Sequence, residues 1–168
     1  MRELPLANGR VGLRILRENG TAWPIYRTGG TQRLQGRSGE RYTLEYRNYS
    51  TKTYEIVATV DGLDVLSGQP GSVRNRGYVL RPGEHLRIKG FRKSGDEVAA
   101  FRFASVTDSY AANSAAGSPA NVGVIGTAVF ELNAPPPATA RPCHSGPCAF
   151  PNDGNNGQGR YAAPPVYD

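Results

Sequence analysis

The sequence predicts an all-β fold, an antiparallel β-sandwich of about seven to nine short strands with one short helix and an extended Pro/Gly-rich C-terminal tail. Three observations carry that expectation. Apolar and polar residues alternate with period two in several short runs, as strands with one wet face require. Turn chemistry, in "NG", "TGG", "DG", "SGQPGS", "RPGE" and "KSGD", separates the runs at roughly ten-residue spacing. The composition agrees: 21 Gly, 13 Pro, and nine Tyr against five Phe and one Trp in 168 residues favour half-buried strands and turns over long helices.

Taken in order, "VGLRIL" places Val11, Leu13 and Ile15 on one side. In "RYTLEYRN", Tyr42, Leu44 and Tyr46 share the inward face, and Arg41, Thr43, Glu45 and Arg47 the solvated one. "TYEIVATVD" sends Tyr54, Ile56, Ala58 and Val60 inward, and Asp61-Gly62 supplies the positive φ angles of a tight hairpin. In "HLRIKGF", Leu86 and Ile88 oppose His85, Arg87 and Lys89. "EVAAFRF" and "NVGVIGTAVFEL" are more continuously apolar, so they are expected at the centre with both faces covered. Gly123 suits a bulge or a close backbone approach; the simpler reading of Gly123 and Gly126 is tight packing under Tyr110 or another large ring. "VTDSYAANSAA" is the helical segment, with Asp108 as N-cap. The expected core is Leu44, Ile56, Val60, Leu86, Ile88, Phe101, Phe103 and Val124.

Composition changes near Asn133, which divides the chain into a sandwich domain, 1–132, and a tail, 133–168. The tail is rich in Pro, Gly and Asn, and it buries too little apolar surface to offset its own ordering entropy. Its prolines favour extended backbone. Phe150, Tyr161, Val166 and Tyr167 are spaced along it as apolar anchors for a neighbouring subunit or partner protein. The net charge of +6 arises entirely before residue 133, because the tail's Arg141 and Arg160 are balanced by Asp153 and Asp168. Seventeen of the 20 basic residues are Arg, the residue suited to forked contacts with carboxylates and phosphates. No run approaches the roughly 20 apolar residues of a membrane span. "MRELPLANGR" lacks the apolar stretch of a secretory signal, so synthesis in the cytoplasm is expected.

"DGLDVL", "RGYVLRPGEHLRIKGFRKSGDEVAAFRFASVTDSYA" and "NVGVIGTAVFEL" resemble a family of uncharacterised bacterial and phage proteins. The resemblance covers roughly residues 40–132 and implies one compact domain. It brings no activity, substrate or catalytic residue with it.

The only two cysteines lie in "RPCHSGPC". Zinc needs about four ligands, and the chain adds only His144, placed between the thiols, and His85, on a distant strand. A metal shared between subunits is one alternative. A redox pair is another, although C-x-x-C beside a helix is its usual form. The preferred reading is a disulfide of Cys143 and Cys148, within the chain through a bend at Gly146-Pro147 or to a neighbouring subunit. That places the mature protein outside a reducing cell.

No nucleophile elbow, P-loop or paired-His motif is present, so neither catalysis nor a bound metal or cofactor is expected. Asp61 with Asp64, and Asp96 with Glu97, would serve a hydrolase only if held across a cleft; turn formation and solvation explain them more simply. Arg41, Arg47, Arg87 and Lys89 alternate outward on strands, and Arg74, Arg76 and Arg81 crowd one loop as a possible basic contact. A solvated basic face is the simplest account of them. Nucleic acid is not the expected partner, because most Tyr fall on the apolar parity instead of interleaving with the charges.

The leading expectation is therefore a non-enzymatic structural or assembly protein, such as a capsid or tail decoration component of a virion, or an extracellular fibre. Its partners would be other protein subunits, reached through the tail. The alternative is a binding module for glycans or other anionic ligands, using the loops at one end of the sandwich.

Overall fold

In a computed structural model of the chain, the described residues are 1–94, 97–104, 122–133 and 148–150. They are mostly β, with antiparallel sheets. Twelve strands are present among them. This exceeds the expected number because five pieces are only two or three residues long. The helix expected at Asp108 and nearly all of the tail lie outside the described residues.

The first sheet contains β1 (Leu4–Leu6), β2 (Val11–Leu16), β5 (Arg41–Asn48), β9 (His85–Ile88), β10 (Gly90–Ser94) and β11 (Glu97–Arg102). The second contains β6 (Tyr54–Val60), β7 (Leu63–Asp64), β8 (Tyr78–Leu80) and β12 (Ile125–Glu131). β3 (Tyr26–Thr28) and β4 (Thr31–Arg33) form a separate two-stranded ribbon. Each larger sheet is organised around one long strand. β5 pairs with β2 along one edge and with β9 along the other, and β11 pairs with its first two residues, Arg41 and Tyr42. β6 pairs with β12 along one edge, and with β7 and β8 in succession along the other.

A single cluster of buried side chains draws on both sheets: Val11, Leu13, Ile15, Leu44, Tyr46, Ile88 and Phe101 from the first, and Tyr54, Ile56, Ala58, Val60 and Leu80 from the second. Period two is obeyed on these faces, as the sequence predicts. Leu86 and Phe103 are only partly buried against the cluster. Val124 does not pack against it; Ile125 and Val129 do, partly buried, as Ile125 pairs with Val60 and Val129 with Ile56. The inward parity of β12 thus starts one residue later than expected.

The expectation of two-sided burial is misplaced. β11 has only Phe101 buried, and β12 lies at a sheet edge. The strand buried on both faces is β6, all seven residues of it. Its second face is covered by the loop after β7 and by the short segment 148–150. A Cβ added at Gly71 or at Gly126 would collide with the Thr59 side chain and with Ala149. Glu55 is accommodated on that face because its carboxylate accepts the Gly77 amide at 3.1 Å.

Turns follow the sequence closely. Asp61 (φ 55°) and Gly62 (φ 79°) both hold positive φ between β6 and β7, the requirement of a type I′ hairpin. In "RPGE" Gly83 has φ 75° and Glu84 donates to the Arg81 carbonyl, so the chain turns from β8 in the second sheet to β9 in the first. Buried Asn48 ties this corner down. Its amide group donates to the carbonyls of Lys52 (2.7 Å) and Leu80 (3.0 Å), and its side-chain oxygen accepts from the Ser50 amide.

Candidate functional site

Charge concentrates on the outward face of the first sheet. Arg14, Glu45 and Arg87 stand directly opposite one another on β2, β5 and β9. Glu45 is fully buried, which corrects its placement on a solvated face: the two flanking guanidiniums roof it over. Its Oε1 accepts Nε of Arg14 at 2.8 Å and also Nη2 of Arg14, while its Oε2 accepts Nε of Arg87 at 2.8 Å. Burial alone would raise the Glu45 pKa. The hydrogen bonds and charges of Arg14 and Arg87 outweigh burial and hold the carboxyl below its ordinary value.

Two residues further along β5, Arg47 hydrogen-bonds the His85 ring and lies 5.5 Å from the ring of Tyr49. The Tyr49 hydroxyl donates to the Glu3 carboxylate at 2.7 Å, which with burial raises the tyrosine pKa. The Glu3 carboxylate lies directly over Gly12, so a Cβ there would have to displace it. At the other end of β5, Arg41 faces Arg102 of β11 in register, a like-charge pair that costs stability unless an anion lies near. Glu18 stands 3.8 Å from Arg41, and both side chains are largely exposed. Lys89 is exposed just after β9. The outward placement of Arg41, Arg47, Arg87 and Lys89 was legible from period two. Arg14 and Arg102 were missed as members of the face, since register between distant strands decides their neighbours.

The other expected sites separate. Arg74, Arg76 and Arg81 are exposed but do not crowd one loop: Arg74 and Arg76 precede β8, whereas Arg81 follows it and pairs with Glu84 at 3.6 Å. Asp64 organises the loop after β7, accepting the amides of Leu66 and Ser67 and the side-chain amide of Asn75. Asp61 accepts the Gly123 amide at 2.7 Å, and burial raises its pKa. Both aspartates therefore act as turn builders. Gly123 is needed for its φ of 88°, with open space where a Cβ would stand, while Gly126 is the glycine required by packing, against Ala149 and Thr59. This corrects the common packing account of the two; Tyr110 lies outside the described residues.

Cys148 is buried, and no free cysteine occurs among the described residues. Phe150 is half-buried. Cys143, Tyr161, Val166 and Tyr167 lie outside the described residues, as does Asp96. Among the described residues no group of three or more His, Cys, Asp or Glu could hold a metal ion, and no helix is long and apolar enough to cross a membrane.

The β3–β4 ribbon is the other distinctive surface. All six of its strand residues are exposed, Tyr26 at 58%. Among the described residues its strands pair only with each other. At its base, Ile25 is tied to Met1 by hydrogen bonds in both directions.

No protein-family model matches the chain, and no match is found among curated proteins or solved structures.

Proposed function

We propose that this protein is a non-enzymatic assembly subunit, a β-sandwich whose two larger sheets pack face to face and which joins or decorates a larger protein structure such as a virion or an extracellular fibre. The observation that carries this reading is the β3–β4 ribbon. A two-stranded hairpin by itself is at best marginally stable in water, and this one exposes every strand residue and, among the described residues, leaves both backbone edges unpaired. Such an arm gains its stability by laying those edges or Tyr26 against a neighbouring subunit. The tail is read as a second contact, with Phe150, Tyr161, Val166 and Tyr167 as anchors and a Cys143–Cys148 disulfide as its lock. Part of it has a role within its own chain, since Ala149 closes the outer face of β6.

The test is the mass of the purified full chain in solution by sedimentation. The reading expects an oligomer that weakens when Tyr26 and Arg33, opposite each other on the ribbon, are both changed to Ser. It also expects loss of assembly on deletion of residues 134–168. A monomer at every concentration, or assembly indifferent to both changes, would overturn it. A second reading, a binding module for glycans or other anionic ligands, is favoured by the arginine-lined face of the first sheet.

A further inference from the structure

From that face we infer that the outward surface of β2, β5 and β9 binds an extended acidic peptide segment of a partner protein, laid along β5. The inference rests on the second reading above, and it names the ligand.

Charge comes first. Arg14, Arg41, Arg47, Arg87, Lys89 and Arg102 line the surface, against Glu3, Glu18 and Glu45. Glu45 is sealed beneath two arginines, and Glu3 is engaged by Tyr49. The surface thus keeps an excess of cations whose own acids do not neutralise it. Glu18, 3.8 Å from Arg41 and largely exposed, offsets part of the repulsion in the register pair Arg41–Arg102, and a bound carboxylate would relieve the rest.

The cations are also held in place. Glu45 engages Nε and Nη2 of Arg14 and Nε of Arg87. Each arginine keeps guanidinium donors beyond those bonded to Glu45, and its side chain has less rotamer freedom left to lose on binding. Arg47 is steadied by His85 and Tyr49. Underneath, Leu44 and Tyr46 are fully buried, so the platform is rigid.

Geometry selects the ligand. Outward residues on β5 recur every second position, about 6.8 Å apart, and the row from Arg41 to Arg47 is about 20 Å long. An extended peptide with an acid at every second position has the same repeat, since both are set by one backbone geometry. Its carboxylates match the planar fork of arginine. The occupant is a different chain, because this protein's own tail carries just two acidic side chains, Asp153 and Asp168.

The experiment titrates the full chain into a fluorescent ten-residue peptide alternating Glu and Ser, with the Lys–Ser peptide and a sulfated glycan of equal charge in parallel arms. Binding is read by anisotropy at low and at physiological salt. The Glu peptide is expected to bind more tightly than the glycan, to weaken with salt, and to lose up to about fivefold in affinity for each of Arg47→Gln and Arg102→Gln. Arg27→Gln, on the ribbon, is expected to change nothing, and thermal midpoints confirm that the variants are folded. Tighter binding of the glycan overturns the peptide inference and leaves the anion-binding reading standing. Binding of neither ligand overturns both. Peptide binding unaffected by Arg47→Gln and Arg102→Gln, or weakened equally by Arg27→Gln, overturns the assignment to this face.

Discussion

Changing Glu45 to Gln removes the one acid that two arginines share, and the structure fixes the order in which the three members of the triad should matter. Glu45 is 0% exposed and accepts three hydrogen bonds from charged donors. A buried bond to a charged group contributes about 1.5–3 kcal/mol. The Arg87 side chain is 57% exposed, so when released it swings into water and its share is that of a surface pair, about 1 kcal/mol or less. The Arg14 side chain is 28% exposed and cannot escape as easily. Glutamine keeps one accepting oxygen, so the expected loss for Glu45→Gln is about 2 kcal/mol. Arg14→Gln should follow at about 1–2 kcal/mol, and Arg87→Gln at under about 1 kcal/mol. Trp23 is the only tryptophan, buried edge-on to Phe103 at 5.4 Å, so its fluorescence reports urea unfolding of each variant. The Glu45 pKa is lower in the folded chain than in the unfolded one. Its contribution is therefore present above about pH 4.3 and is lost as pH falls through the folded value. The difference between wild type and Glu45→Gln should shrink in that acid range. Equal losses for Arg87→Gln and Glu45→Gln, or a difference that persists unchanged into strong acid, would refute the reasoning.

Three further outcomes are expected. Phe101→Ala, in the core at 1% exposure, should cost about 3–5 kcal/mol, and Phe103→Ala clearly less because Phe103 is only partly buried; equal losses by urea titration would contradict the core assignment. Gly126→Val should displace the segment around Ala149, since even a Cβ collides there, and hydrogen exchange should then quicken at the amides of Val57 to Val60 while Leu44 to Tyr46 stay protected. Thr59→Val should stabilise the fold by about 1 kcal/mol, because the Thr59 hydroxyl is buried with no hydrogen-bond partner among the described residues; a loss measured by thermal unfolding would mean that the hydroxyl is satisfied in solution.

The sequence alone determined what depends on near neighbours in the chain. Period two placed Leu13, Leu44, Ile56 and Ile88 inward, because alternation is a property of a single strand. Asp61-Gly62 and Pro82-Gly83 marked their turns through φ preferences that belong to the residues themselves. The same logic put Arg41, Arg47 and Arg87 outward. It could not say that Glu45 would be buried between Arg14 and Arg87, since that follows from the register of β2 and β9 on β5, set by packing across more than 30 residues of chain. Nor could it find that β6 is covered on both sides. The cover comes from Gly71, Gly77 and Ala149, segments whose composition reads as loop and tail. Local chemistry chose the strands and turns; which faces meet water was decided by which distant segments came to lie on them, because burial is a property of the folded surface and not of the strand.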